Sequence, residues 1–101
     1  MYAVIFRSVR KSDFDELYAE HSERMEKLVI HIPGYISHVS FRDQLTKEGV
    51  TVSYFDSLES IKAWREHPEH KATQELALTH FYESYEIKVA KIEREFSQSG
   101  L

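Results

Sequence analysis

At 101 residues, with 42% apolar and 30% charged side chains, the chain has the make-up of one globular domain with a modest core, which excludes a disordered polypeptide. Its 13 basic side chains are scattered and outnumbered by 17 acidic ones, for a formal charge of -4, so nucleic acid is not an expected partner. The absence of cysteine excludes disulfides, thiolate nucleophiles and Cys-ligated metals; with no run near the roughly 18 apolar residues of a membrane span and no signal pattern at the start, a cytoplasmic protein away from membranes is expected.

Tyr2 to Val9 is β-branched and aromatic, apolar on both parities (Val4 and Phe6; Ala3, Ile5 and Val9), and reads as a strand buried on both faces. A capping box at Ser12 with Asp15, or at Asp13 with Glu16, then opens a helix. Phe14, Leu17, Tyr18, His21, Met25, Leu28, Val29 and Ile32 recur along it at spacings of three and four. Pro33-Gly34 stops that helix. Alternation over Tyr35 to Arg42 and again over Val50 to Tyr54, around a polar link at residues 46–49, gives a β-hairpin. Asp56 or Ser57 caps a second helix, Glu59 sits in the box position for Asp56, and Leu58, Ile61 and Trp64 mark its buried side. Pro68 forces a break near His67 and starts a short helix through Ala77. Phe81 to about Glu95 is the last strand, and alternation sets Tyr82 on the face opposite Phe81 and Tyr85. Residues 1–96 thus form one domain, and the tail at 97–101 is expected to be disordered.

The order β-α-β-β-α-β is the ferredoxin-like, split βαβ arrangement of the α+β class: a four-stranded antiparallel sheet with its helices on one face. The other face has no helix, yet the first strand is apolar on both parities. A homodimer packed sheet to sheet, with the last strand reaching across, would cover it.

The stretch Ser57 to Tyr85 concentrates the chemistry, holding Trp64, three of the six histidines (His67, His70 and His80) and the aromatics Phe81, Tyr82 and Tyr85. Trp64 reads either as a core residue or as a flat wall against an aromatic ligand. His67 and His70 are either surface and capping residues or acid-base groups, since an imidazole titrates near neutrality; Pro68 breaks the spacing a metal pair needs, and no metal is expected. His38 and Arg42 share a parity on the second strand and either sit on a solvated edge or, if that is the helix-covered side, line a cavity.

The element order, the PGY after the first helix, the run SYFDSLESIKAWREHPEH and the following FYESYEIKVAKIERE together resemble the antibiotic biosynthesis monooxygenase family, a branch of the dimeric α+β barrel proteins. The resemblance spans almost the whole chain and implies an oxygenase of aromatic or quinol-like compounds that needs no cofactor. The family also includes haem-degrading enzymes. Trp64 matches the helix tryptophan that borders the substrate pocket in both branches. The haem branch places a histidine ten residues after that tryptophan and an asparagine on the first strand, where this chain has Gln74 and no asparagine. The polyketide branch has an asparagine and a tyrosine where this chain has Ser60 and His70. The expected site is therefore His70, His67 and Trp64 for catalysis, with Trp64, Gln74, Phe81, Tyr82, Tyr85 and His38 against the substrate, in a pocket between sheet and helices. A non-catalytic dimeric binder of a hydrophobic ligand or haem is the alternative.

Overall fold

The computed structural model describes residues 1–100; of the expected tail, Leu101 lies outside the described residues. The elements are β1 (Tyr2–Arg10), α1 (Asp15–Val29), β2 (Tyr35–Arg42), β3 (Glu48–Phe55), α2 (Leu58–Glu66), α3 (Pro68–Leu76), a π-helical turn (Ala77–Phe81) and β4 (Tyr82–Lys91). The strands form one antiparallel sheet in the order β2-β3-β1-β4, the ferredoxin-like arrangement that the alternation predicts.

The two faces of the sheet have different chemistry. Tyr2 and Val4 of β1, Phe55 of β3 and Tyr35 of β2 pack against Val29 of α1 and against Ile61 and Trp64 of α2, which defines the helix-covered face and the core. The register puts the other parity on the opposite face: Ile5 lies across from Val52, Val52 from Val39, and Val50 from Phe41. That second face is uncovered in the subunit; it is apolar over β2 and β3, with Val39 51% and Phe41 71% exposed, and charged toward β4, where Arg7 lies across from Glu86 and Ile5 from Lys88. Burial of β1 on both faces is thus only half met within one chain, where Ala3 is buried but Ile5 and Val9 are half-buried.

Helix ends depart from the sequence pattern in informative ways. Neither expected capping box forms at α1. Phe14 is the cap residue at φ 60°, with no side-chain cap bond, and its own N–H donates to Asp13 Oδ1 at 2.9 Å. The carboxylate of Asp15 is instead taken by Arg10, Nη2 to Oδ1 at 2.7 Å. At α2 the cap is Ser57, whose Oγ accepts the Ser60 N–H at 3.2 Å. Asp56 accepts the Ser60 hydroxyl at 2.9 Å, and Leu58, expected inside, is 54% exposed. Ser60 is buried in its stead. The break before α3 is capped by His67, whose ring accepts from the Glu69 N–H, and Pro68 occupies the first turn. β4 begins one residue later than predicted because residues 77–81 stay wound, and it ends at Lys91, short of the expected Glu95.

Two glycines are required by close approach. Gly34, at φ +91°, lies over the Asp56–Ser60 pair, so an added Cβ would stand 1.9 Å from Ser60 Oγ and 2.2 Å from Asp56 Oδ1. Gly49 faces the Arg42 guanidinium, 2.5 Å from where its Cβ would stand. Because Gly34 combines a left-handed backbone with that contact, Gly34→Ala is expected to cost about 2 kcal/mol or more, read as a lower urea midpoint with an unchanged slope.

Candidate functional site

The elbow between α2 and α3 brings Trp64, His67 and His70 together. The His70 ring lies on the indole, with centroids 4.2 Å apart and planes 12° from parallel. Its Nδ1 is 2.9 Å from the Trp64 carbonyl oxygen. A carbonyl only accepts, so Nδ1 carries the proton and Nε2 keeps its lone pair. Burial pushes the His70 pKa down, against the carbonyl bond that raises it and with His67 lowering it further. The ring is therefore neutral near pH 7. His67, 5.9 Å from the indole, has spent its Nδ1 lone pair on the Glu69 N–H at 3.2 Å. Gln74 lies one turn beyond His70 on α3 and is exposed.

At the other end of the sheet Phe81 is 1% exposed and packs edge-on against Tyr18 at 5.5 Å, which makes it a core residue. Tyr82 and Tyr85 do not take opposite faces as alternation predicts. A register shift at Val9/Arg10 pairs Val9 with Ser84 and Arg10 with Tyr82, so that β4 carries one extra residue, Glu83. Both rings consequently meet Phe6, at 5.4 and 5.6 Å. The phenol of Tyr82 is held well above its ordinary value, by burial first and by the neighbouring Tyr18 second, against the pull of Arg42 and Arg10. It stays protonated at neutral pH.

Between these ends the helix-side face is floored by polar groups. His38, Ser40 and Arg42 of β2 lie opposite Ser53, Thr51 and Gly49 of β3, on the same face as Tyr35 and Phe55. Helix α1 passes over both ends of this strip. Tyr18 stands over Arg42, whose guanidinium carbon is 5.9 Å from the ring, and Glu26 comes within 3.9 Å of His38 Nε2. Ser40 is nevertheless exposed, and Thr51 and Ser53 are half-buried, so this row of hydroxyls is open to solvent. Arg42 spans the floor, donating from Nη1 to the Lys47 carbonyl at 2.8 Å and from Nη2 to Ser8 Oγ at 2.9 Å. Of this strip the parity of His38 and Arg42 was readable in the sequence. Tyr18, Glu26 and Tyr35 had no signal beyond their place in amphipathic patterns.

A hollow of about 280 Å³ opens beside the β1–β4 bulge, lined by residues 7–9 and 84–86 and by Glu48; it includes Tyr85 and does not include Trp64. Among the described residues no three of His, Asp and Glu converge as a metal site, and no helix is long and apolar enough to cross a membrane.

The sequence profile of the antibiotic biosynthesis monooxygenase family matches residues 1–76. YqjZ, an uncharacterized protein of Bacillus subtilis (strain 168), is 46% identical over 94 residues, covering 93% of this chain and 81% of that protein. Among solved structures, Rv0793 from Mycobacterium tuberculosis superposes with a TM-score of 0.81 at 17% identity, over 95% of this chain and 98% of that one. SnoaB, a cofactor-independent oxygenase from Streptomyces nogalater, does so with a TM-score of 0.77 at 9% identity, over 96% and 97%. These two share the fold; the profile match and the 46% identical relative establish that the chain belongs to the antibiotic biosynthesis monooxygenase family.

Proposed function

We propose that this protein is a monooxygenase that acts without a cofactor on an aromatic or quinol-like small molecule and works as a homodimer. The observation that carries the reading is the His70–Trp64 pair: a neutral imidazole, oriented by the Trp64 carbonyl, with its Nε2 lone pair unengaged beside a large aromatic surface. In such a reaction the substrate supplies the electrons. His70 Nε2 takes a proton from a phenol or an activated carbon acid, and the electron-rich anion reduces O2. One oxygen atom ends on the substrate carbon and the other leaves as water, so a CH2 flanked by aromatic rings becomes a carbonyl. Gln74, one turn beyond His70 on α3, would serve as the donor to the developing oxyanion, and the Trp64 indole as the wall. The residues do not fit the haem-degrading arrangement, because the position of its histidine carries the Gln74 amide.

Association is supported by area and chemistry. The subunit exposes 7399 Å². A closed monomer of its 11.9 kDa mass would expose roughly 6,000 Å². Part of that excess is the extended, exposed segment 92–100. The patch of Val39 and Phe41, 51% and 71% exposed and continued by Ile5, Val50 and Val52, is the surface a second copy would cover.

Sedimentation is expected to give twice the 11.9 kDa chain mass at micromolar concentration, and Phe41→Asp to shift it toward the single chain; a stable wild-type monomer would remove the dimer. For the active site, oxygen uptake with a panel of quinols and anthrones is expected to identify a substrate. With it, His70→Gln should lower kcat/KM by about 10²-fold or more in a dimer that still folds. The acid limb of the wild-type profile should fall below the ordinary 6.5 of histidine, because a depressed pKa keeps the base unprotonated to lower pH. The sign for stability is the same: the unfolded chain binds the proton first, so the urea midpoint should drop as pH falls below about 6.5, and less so in His70→Gln. Full turnover in His70→Gln would refute the assignment. A saturable Soret shift on haem titration, lost in His70→Gln and without oxygen uptake, would replace it with a haem-binding role.

A further inference from the structure

Over its first two turns α3 is held to the subunit by polar groups alone. It has no buried residue, and its half-buried positions are Glu69, His70, Thr73 and Leu76, of which only Leu76, at the far end, is apolar. Glu69 pairs with Arg24 of α1, an ion pair open to solvent and of the kind that contributes little. Thr73 Oγ1 meets His21 Nδ1 of α1 at 2.8 Å. A hydroxyl both donates and accepts, so that link survives either charge state of His21. The remaining fastenings are the two imidazoles of the elbow. His67 caps α3 by accepting the Glu69 N–H at Nδ1, 3.2 Å away. His70, in the first turn, donates from Nδ1 to the Trp64 carbonyl at 2.9 Å and lies flat on the indole. The groups facing His70 are thus Trp64 and His67, and those facing His67 are Trp64, His70 and the Glu69 N–H; Arg24 and the Glu69 carboxylate are taken up by each other.

We propose that the α2–α3 elbow is an acid-released latch: protonation of His67 and His70 unwinds the first turn of α3, lifts the His70 ring from Trp64 and bares the indole, while the sheet, α1 and α2 stay folded. Three effects act in the same direction. His67 can gain a proton only at the lone pair that caps α3, so charging it gives up the Glu69 N–H. Both rings stand at the N-terminus of a helix, where the dipole disfavours a cation. As neighbours on one indole they also repel each other once charged. Off the indole, His70 binds its proton near the ordinary 6.5 of histidine; buried against it, only at lower pH. The closed elbow is therefore fully favoured above that value and loses a factor of about ten per proton for each pH unit below it.

Trp64 is the only tryptophan, so the fluorescence of the full chain reports this elbow alone. Acrylamide quenching of Trp64 is expected to rise roughly twofold or more from about pH 7.5 to about pH 5, the range in which free imidazoles charge. Far-UV circular dichroism should keep most of its amplitude over that range. His67→Asn, a cap that carries no charge, keeps α3 wound and should make the transition shallower, from two protons to one. His70→Gln should do the same, and the doubly substituted chain should show no pH dependence. Circular dichroism at neutral pH checks that each variant folds. Wild-type quenching that stays flat, or a rise that persists in the doubly substituted chain, overturns the latch. So does a loss of circular dichroism in step with the rise, which marks global unfolding. Dimming of Trp64 without added quenching, the mark of an imidazolium still seated on the indole, overturns it as well.

Discussion

The structure depends on one buried guanidinium. Arg10, at the end of the central strand β1, is 4% exposed, and burying such a charge costs several kcal/mol unless its donors are satisfied. They are satisfied by groups from three separate elements. Nη1 donates to the Phe81 carbonyl at 2.6 Å, Nη2 to Asp15 Oδ1 at 2.7 Å and to the Asp13 carbonyl at 3.3 Å, and the guanidinium carbon lies 4.0 Å over the Tyr18 ring. Each departure from the sequence pattern at this end of the molecule follows. Asp15 is withdrawn from capping α1; Phe81 is held by its carbonyl, which keeps residues 77–81 wound and delays β4; and the shift at Val9/Arg10 re-aims Tyr82 to the helix side. Lysine would supply the charge but not the planar fork that reaches three elements at once.

A second constraint is the division of the sheet into two unlike faces. A four-stranded sheet with helices on one side usually buries its apolar parity under those helices. Here the helix side carries His38, Ser40, Arg42, Thr51 and Ser53, while Val39, Phe41, Val50 and Val52 face away. The core of buried Val29, Phe55 and Ile61 is correspondingly small. Hydroxyls under a helix are unfavourable unless they bond one another or meet water, and the Ser40–Thr51 pair, bonded and open to solvent, does both. A chain that gives up core volume to keep a polar floor has its largest apolar surface left on the far side. The polar floor on the helix side and the exposed apolar patch on the far side are thus two consequences of one choice of strand parity.

Strands and helices were legible in the sequence because their periods, near 2 and 3.6, are set by backbone geometry and survive whatever packs against them. The hairpin, the long first helix and the break at Pro68 follow from that and from proline stereochemistry. Caps and strand starts were not legible, since they depend on which long-range partner claims a side chain. Nothing local distinguishes Asp15 as a ligand for Arg10 from Asp15 as a cap. Leu58 shows the same limit: its spacing to Ile61 fits a buried stripe, but the Asp56–Ser60 hydrogen bond under Gly34 turns Ser60 inward and leaves Leu58 54% exposed.

The histidines make the corresponding point for the site. His38, His67 and His70 are equal in the sequence, each an imidazole near a plausible pocket. Their chemistry is separated by which ring nitrogen is already engaged. His67 accepts a backbone N–H at Nδ1, so protonation there would cost the α3 cap. His70 donates from Nδ1 to a carbonyl, which fixes the tautomer and leaves the lone pair on Nε2. His38 shares a hydrogen bond at Nδ1 with the Tyr35 hydroxyl, 2.6 Å away. The three rings differ by one hydrogen bond each, set by Pro68 at the elbow, by the stacking on Trp64 and by the packing of Tyr35 against Phe55. Residue identity supplies the titrating group; the fold decides which of its two nitrogens is left to act.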